Sequence, residues 1–446
     1  MSMYSQSISK THIIDPVYNR SNFRAEYRLE PDTIYFSSLR LINVGIEANT
    51  GGKRYNKMVG AYGCIKEITL MDDNQVLDSI SEANRWLSFK MYNQKNQKSM
   101  DINNALAKNS MGSYMEGCGA GPNGIGPKIN EWTPRDSTTG AIGAASGNSQ
   151  SWLDLKMALP ILSSMSSLDT RVFKKLKLVI EYSSDVDDYM LQTDDTKSST
   201  FEAQLLVDEI VDSKERETQA FSGSVSYKSI EHDMAVIPAL VVDSTISNTN
   251  PTPTQSTTLR IGGFNNKNVG RILLTKSPTL LANYKTGDDT TRHGKYASIC
   301  ANKQVLNIRV NGGSKFAGNG IDRDNSRLAY LTSAWGECSS YPFSNSTAYA
   351  ETQSLDRDKY IKDGNKDIGV LDFYGCAVND RVLDLQIDYQ REGVYSFTST
   401  GPVNKATDDT ATAASKYNTR YNMDIFAEVF KKISMNGDGS YSVGYD

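Results

Sequence analysis

The chain has 446 residues, with 48 basic against 52 acidic side chains, a net charge of −4 and 38% hydrophobic residues. That balance excludes general attraction to nucleic-acid phosphates, which needs concentrated positive charge, and the length leaves room for two β-domains of roughly 200–250 residues, each able to bury a core. No apolar run approaches the roughly 18–20 residues that cross a bilayer as a helix, and Met1-Ser-Met-Tyr-Ser-Gln lacks the basic start and apolar stretch of a secretion signal, so synthesis and retention in the cytosol or nucleus are expected.

Residues 1–22 are polar without a period and are expected to form an N-terminal arm. Phe23 to Glu30 alternates apolar and polar residues and stops at Pro31-Asp32, a turn signal. Ile34 to Val44 alternates again, and Cys64 to Met71 predicts a further strand closed by a turn at Asp72-Asp73-Asn74-Gln75. The clearest helix follows. Ser81 is its expected cap, with Glu82 in the first turn, where the helix dipole favours a carboxylate. Trp86, Leu87, Phe89 and Met91 are spaced for one buried face, and they read as core contacts rather than a ligand box.

Residues 102–150 are rich in Gly, Ser, Asn and Thr and predict a long surface loop. Trp152 begins a strand, Leu159 to Leu162 a short helix or turn, and strands over 172–182 and 201–211 close the first half. Lys214-Glu-Arg-Glu-Thr218 is the candidate linker. The second half has polar inserts at 243–257, 312–327, 338–366 and 401–419. Strands are expected at 228–237, 258–263, 270–275, 304–310, 367–375, 381–389 and 423–435, and a helix is capped by Asp324 or Asn325 and faced by Leu328, Leu331 and Trp335. Short strands with long polar connections suit a sandwich or jelly roll.

The second half repeats the first in order. Leu176 to Tyr182 returns as Leu383 to Tyr389, and Ile68-Thr-Leu70, a turn and Val76 return as Ile308-Arg-Val310, a turn and Phe316. Leu153-Asp-Leu155 returns as Leu371-Asp-Phe373, and Ala203-Gln-Leu-Leu206 as Ala427-Glu-Val-Phe430. The offsets run from 207 to 240 residues, as expected if loops changed length between fixed strands. The organisation expected is an arm over 1–22, a first β-domain over 23–213, a linker over 214–222 and a second β-domain over 223–446.

Motifs for catalysis are sparse. His12, His232 and His293 sit in unrelated contexts without metal-ligand spacing. Gly119-Ala-Gly-Pro-Asn-Gly124 matches GxGxxG, but polar loop flanks it where a dinucleotide site needs a strand and a helix. Asp322-Arg-Asp324 resembles the start of a calcium loop, yet position 12 is Ser333 in place of a glutamate. Asp72-Asp73 and Asp187-Asp188 are paired carboxylates at strand ends, read as solvated turns. Cys64, Cys118, Cys300, Cys338 and Cys376 are odd in number with no CxxC spacing and are expected as free thiols. No catalytic, cofactor-binding or metal-binding residue is assigned, no cofactor is expected, and the chain is read as a non-enzyme.

These parts resemble the double jelly-roll major capsid proteins of double-stranded DNA viruses, of the polinton-like virus and virophage type. The likeness is carried by Phe23-Arg-Ala-Glu-Tyr-Arg-Leu with Ile34 to Leu41, by Ile65 to Leu70 with Ser81 to Lys90, and by Phe426 to Ile433 with Asn436-Gly-Asp438-Gly. The resemblance implies an all-β fold of two tandem jelly-roll β-sandwiches with short helices in the loops. It also implies a structural protein of the virion whose homotrimer forms a pseudo-hexagonal capsomer, tiling an icosahedral capsid around the genome. Residues 102–150 and 338–366 would be tower or inter-subunit loops, and 1–22 an arm on the inner face. Implied partners are other copies of the chain and neighbouring capsomers, with penton and minor capsid proteins, without sequence-specific nucleic-acid binding or a transmembrane segment. Assembly would take place in the host cytoplasm or nucleus. The alternatives are a scaffolding protein of the same fold that shapes immature virions, or a carbohydrate-binding β-sandwich attachment protein.

Overall fold

The computed structural model describes residues 8–17, 23–44, 60–92, 152–184, 203–239, 254–278, 304–318, 320–321, 325–335, 373–392, 396–398, 401–403 and 420–446. The expected loops at 102–150 and 338–366 lie outside these residues, as do the GxGxxG stretch, Asp187-Asp188, Asp322, Asp324, His293, Cys118, Cys300 and Cys338.

The first half runs β1 (Ser9–Ile14), β2 (Arg24–Arg28), β3 (Ile34–Phe36), β4 (Arg40–Ile42), β5 (Ile65–Asp72), β6 (Gln75–Ser81), α1 (Ala83–Tyr92), β7 (Trp152–Asp154), α2 (Ile161–Ser164), β8 (Ser167–Asp169), β9 (Leu176–Tyr182) and β10 (Gln204–Ile210). Strands β3 and β4 are two pieces of one strand beside β10, and β7 and β8 are two pieces of its outer neighbour. One sheet is therefore β1, β10, β3/β4, β7/β8, and the other is β2, β9, β5, β6. All pairings are antiparallel.

The second half, after α3 (Ser213–Thr218), repeats this plan with β11 (Ser224–Ile237), β12 (Thr254–Ile261), β13 (Lys267–Pro278), β14 (Gln304–Val310), β15 (Gly313–Ser314), α4 (Asn325–Trp335), β16 (Phe373–Val382), β17 (Leu385–Glu392), a small hairpin of β18 (Ser396–Thr398) and β19 (Gly401–Val403), β20 (Tyr421–Met435) and β21 (Tyr441–Tyr445). Its sheets are β11, β20, β13, β16, with β21 added as a fifth strand beside the end of β20, and β12, β17, β14, β15. Leaving aside β21 and the β18–β19 hairpin, each half thus has eight strand places, four in each of two sheets, with the same connections, which is a jelly roll. In both, a helix follows the fifth strand.

The sequence repeat can be checked against register. Ile68 pairs with Ile180 in the first half, and Ile308 pairs with Ile387 in the second. These are the residues that the two best matches equate. The Leu176–Tyr182 match holds through the buried Leu385, Ile387 and Tyr389, but its first residue, Leu383, is 61% exposed in a turn. The fourth match equates Leu205 with Val429, and these pair with Leu41 and Val269 respectively. Leu41 in turn faces Leu153, while Val269 faces Asp380. Leu153 therefore corresponds in register to Asp380 rather than to Leu371, which lies outside the described residues; Phe373, the last residue of that match, is in β16.

Local chemistry explains several departures from expectation. Ser81 is not the cap of α1: it is the last residue of β6, paired with Glu67, and Glu82 turns the chain into the helix at φ 49°. Its carbonyl, not its side chain, accepts from Arg85 N and Trp86 N. The stretch over 34–44 breaks at Ser37 and Leu39, where the chain steps between β3 and β4. Ser9–Ile14 is no free arm, because it forms a ladder with β10 from Ser9↔Ile210 to Ile14↔Leu205. The stretch expected as a linker holds a short helix, α3, whose cap Asp212 accepts from Glu215 N at 2.9 Å. The expected hairpin turns hold. Asn311 and Gly312, at φ 52° and 79°, supply the left-handed pair that a two-residue hairpin turn demands.

Two cores result. One fills the second sandwich between its sheets, with Ile308, Ile387, Met423, Ile425, Ala427 and Val429. The other fills the first sandwich and continues across the seam to Tyr227, Ile230, Leu273, Leu331, Trp335, Phe373, Phe426 and Ile433 of the second. Cys64 and Cys376 are buried free thiols, and burial pushes the Cys376 thiol up to about 12.

Candidate functional site

The seam between the sandwiches is where the fold concentrates unusual side chains. It is reached from the first half by α1, β6 and α2, and from the second by β11, β20, β16 and α4. Helix α1 is buried on every side from Ala83 to Phe89, polar residues included, because each sandwich covers part of it. Its polar groups are satisfied locally: Asn84 Nδ2 donates to Gly63 O at 3.3 Å and Ser88 Oγ to Arg85 O at 2.6 Å.

Trp86 and Phe89 meet three aromatic rings of the second half. Trp86 lies 5.5 Å from Trp335 and 5.8 Å from Phe426, and Phe89 lies 5.6 Å from Trp335 and 5.0 Å from Phe373, several of them edge to face. Both indole nitrogens are satisfied, Trp86 by Met157 O at 2.8 Å and Trp335 by Ile272 O at 3.2 Å. Strand β20 is buried without a break from Met423 to Val429 because its two faces serve two cores. Gly375 makes room for α4: a Cβ there would stand 2.7 Å from Leu331 Cδ1 and 2.9 Å from Trp335 Nε1. Gly375→Ala should therefore cost about 1–3 kcal/mol by overpacking, read as a lower urea midpoint; an unchanged midpoint would show that α4 lifts freely from β16.

Polar contacts ring this cluster. Asp78 is fully buried and accepts from Ser229 Oγ at 2.6 Å, Ile161 N at 3.1 Å and Ser79 N at 3.1 Å. Burial raises its carboxyl to about 6, against the opposing pull of those hydrogen bonds and of Lys431. Tyr227 Oη donates to Leu77 O, and burial also raises that phenol. Tyr441 on β21 donates to Asp72 at 2.8 Å and packs on Phe173 at 4.9 Å. Asp72 is thus engaged across the seam, while Asp73 pairs with Lys175 at 3.2 Å in an exposed turn.

His232 bridges Ser81 Oγ at 3.3 Å and Asp424 Oδ1 at 3.1 Å. The order resembles a Ser–His–Asp relay, but Nδ1 faces the serine and Nε2 the carboxylate, the reverse of the protease arrangement. The ring also packs on Phe426 at 4.9 Å, and its contact with Ser81 ties the two sandwiches together. A cleft of about 580 Å³ opens beside it over β5 and β6. There Glu231 pairs with Lys267 at 2.6 Å and Lys431 at 2.9 Å, and Tyr445 closes the group. Burial would raise Glu231, but the two lysines hold its carboxyl below the usual range. His12, the other described histidine, pairs with Glu209 at 2.8 Å far from this site. Among the described residues no cluster of three or more His, Cys, Asp or Glu side chains could hold a metal ion.

Trp86, Phe89, Leu331 and Trp335 were legible as buried helix faces, though not as partners of one another. Asp78, Ser229, His232 and Asp424 were missed. The one local signal was a lone carboxylate inside the apolar stretch Val76-Leu77-Asp78-Ser79-Ile80.

Solved structures share this architecture along the whole chain. PBCV-1 VP54, fitted into a cryo-EM reconstruction of the virophage Sputnik, matches with a TM-score of 0.52 at 12% identity, over 100% of this chain and 99% of that one. The fold is a double jelly roll. A chain of the 3.5 Å cryo-EM structure of the Sputnik virophage matches this double jelly roll with a TM-score of 0.50 at 8% identity, over 98% of this chain and 88% of that one. The mavirus major capsid protein matches at 0.49 and 11% identity, over 98% and 90%. No family model and no curated protein matches the chain. Among the described residues, no helix of this double jelly roll is long and apolar enough to cross a membrane.

Proposed function

We propose that this chain is the major capsid protein of a double-stranded DNA virus, located in the virion. Three copies form a pseudo-hexagonal capsomer, and capsomers tile an icosahedral shell. The observation that carries the proposal is the seam: two jelly rolls of one plan are held by a buried aromatic cluster in one fixed relation, so each chain supplies two like building blocks. Two solved structures matched at a TM-score of 0.50 or above concern virus particles. Penton and minor capsid proteins are the further partners, and the host cytoplasm or nucleus the place of assembly. The building blocks divide at α3, the first starting at β1 and the second following Gln219.

Purified protein is expected to run at three times the 49.3 kDa chain mass by light scattering. Negative-stain images are expected to show six-sided particles. A monomer at every concentration would overturn the proposal.

A further inference from the structure

Strand β21 is an addition to the jelly-roll plan. The first sandwich ends on β10 and passes into α3, whereas the second ends on β20, turns over 436–440 and returns as β21. One edge of β20 is covered by β11, and β13 pairs with the other edge only as far as Val429. The rest of that second edge is filled by β21, from Lys431↔Tyr445 to Met435↔Tyr441. The ladder is closed at its two ends by Asp446 N donating to Phe430 O at 3.0 Å and Asn436 N to Ser440 O at 2.7 Å.

Successive side chains of a strand alternate, so Tyr441, Val443 and Tyr445 share one face. Each has its own receptor. Tyr441 Oη donates to Asp72 at 2.8 Å, and its ring packs on Phe173, which lies 5.3 Å from Phe221. Val443 rests on the core that crosses the seam. Tyr445 Oη donates to Glu231 at 3.0 Å, and its ring centre stands 4.9 Å from Lys267 Nζ and 5.4 Å from Lys431 Nζ. Main-chain bonds along a sheet edge and sites for alternate side chains are how an extended peptide is recognised.

The strand is also lightly held. No residue of β21 is buried, and Tyr445 is 54% exposed. The turn that carries it contains Gly437 and Gly439, the latter at φ 82°, and its side-chain bonds are local: Asn436 Nδ2 to Ser440 Oγ at 2.8 Å and Ser440 N to Asp438 Oδ1 at 2.9 Å. Lifting β21 breaks a short ladder and leaves the eight strand places of the sandwich filled.

We infer that the groove under β21 is a docking site for the β21 strand of a second copy of this chain, exchanged for its own. The receptors define the occupant: two phenol sites flank an aliphatic one at every second position. Tyr-x-Val-x-Tyr occurs in this sequence at 441–445 alone. Each copy carries one strand and one groove, and exchange restores every contact, so the turn and the protein concentration decide between the closed and exchanged forms. In the exchanged form the 436–440 turn opens and β20 runs on towards the neighbouring copy. The link goes beyond the capsid proposal and does not depend on it.

Full-length Ser434→Cys and Ser442→Cys variants test the exchange. These positions are paired in the ladder and neither is buried, and paired strand residues stand about 4.5–5.5 Å apart, within disulfide reach. The double variant should close a disulfide under mild oxidation; none at all would show that the ladder is not formed and would overturn the docking. The two single variants, mixed at high concentration and oxidised, should give a covalent dimer with one chain of each kind. It should appear at doubled mass on a non-reducing denaturing gel and be absent from either variant alone and from the wild type. A mixture no different from its components would overturn the docking and leave the capsid proposal standing. Adding Tyr441→Phe to both variants removes the Asp72 bond, so the dimer should form about ten-fold faster. An unchanged rate would mark a contact made without release of the strand, and the docking would fall. Dimers from a protein that never forms trimers would keep the docking and overturn the capsid proposal.

Discussion

Replacing Trp86 by alanine is expected to cost about 3–5 kcal/mol of stability, the range for deleting a large buried aromatic ring. Trp86 is 2% exposed and touches Phe89, Trp335 and Phe426 at ring separations of 5.4–5.8 Å. The loss has three parts: apolar area, the cavity left between two sheets that cannot collapse onto each other, and the unpaired Met157 carbonyl. Its position decides the form of the effect. Trp86 belongs to the first sandwich and stacks on rings of the second, so the variant should unfold in two resolved steps where the wild type unfolds in one. Trp86→Phe should retain most of the contact and lose the Met157 hydrogen bond. A double-mutant cycle with Trp335→Ala should show a coupling of about 0.5–1.5 kcal/mol. Urea unfolding followed by tryptophan emission and circular dichroism measures both. A loss under about 1 kcal/mol would mean that the aromatic cluster does not hold the sandwiches together.

How much of this was legible depends on how local the signal is. Strands β9 and β17 turn alternate residues to their cores, with Val179 the one buried residue on the other face of β9, so both their existence and their register were readable, down to Ile180 and Ile387. Strand β20 was found as a strand, but its second buried face was hidden. Met423, Ile425, Ala427 and Val429 satisfy the period-two pattern by themselves, and Phe426 then looks like an exception to it, when it is the contact to the other sandwich. The same limit applies to helix capping: Ser81 has the right chemistry for a cap, but a ladder partner at Glu67 and a contact to His232 compete for it and win. Asp78 and Ser229 are 151 positions apart, and no period links them. The one join legible in the sequence is the charged stretch 214–218. That stretch is the covalent join, while the physical join is made by residues scattered along both halves.

Asp78 makes the strength of that join depend on pH. Lowering the pH from about 7.5 to 5 should stabilise the protein by about 1 kcal/mol through this group alone. The sign follows from the shift. Burial raises the carboxyl from 3.8 to about 6 in the folded chain, so between these values the native state holds a proton that the unfolded chain has released. Stability from Asp78 is therefore complete below about 3.8, declines as the pH rises, and is lost above about 6, a total swing of about 3 kcal/mol. Ser229 and Lys431 face the group from the second sandwich and Ile161 N from α2, and these contacts keep the shift from being larger. Carboxylates held low act in the opposite direction. Burial opposes the shift at both Glu231 and Asp169, but the lysines beside Glu231 and Arg171 beside Asp169 hold each below its ordinary value, so their contribution is present at pH 5 and fails on stronger acidification. The stability profile should accordingly rise from neutral pH to a maximum between about pH 4 and 5 and fall on stronger acidification. Asp78→Asn keeps an acceptor for Ser229 but turns an amide towards Ile161 N–H, a loss of about 1–3 kcal/mol at every pH. Its profile should be flat between pH 5 and 7.5. If the variant shows the same rise as the wild type, the proton is taken up elsewhere and Asp78 is ionised in the folded seam.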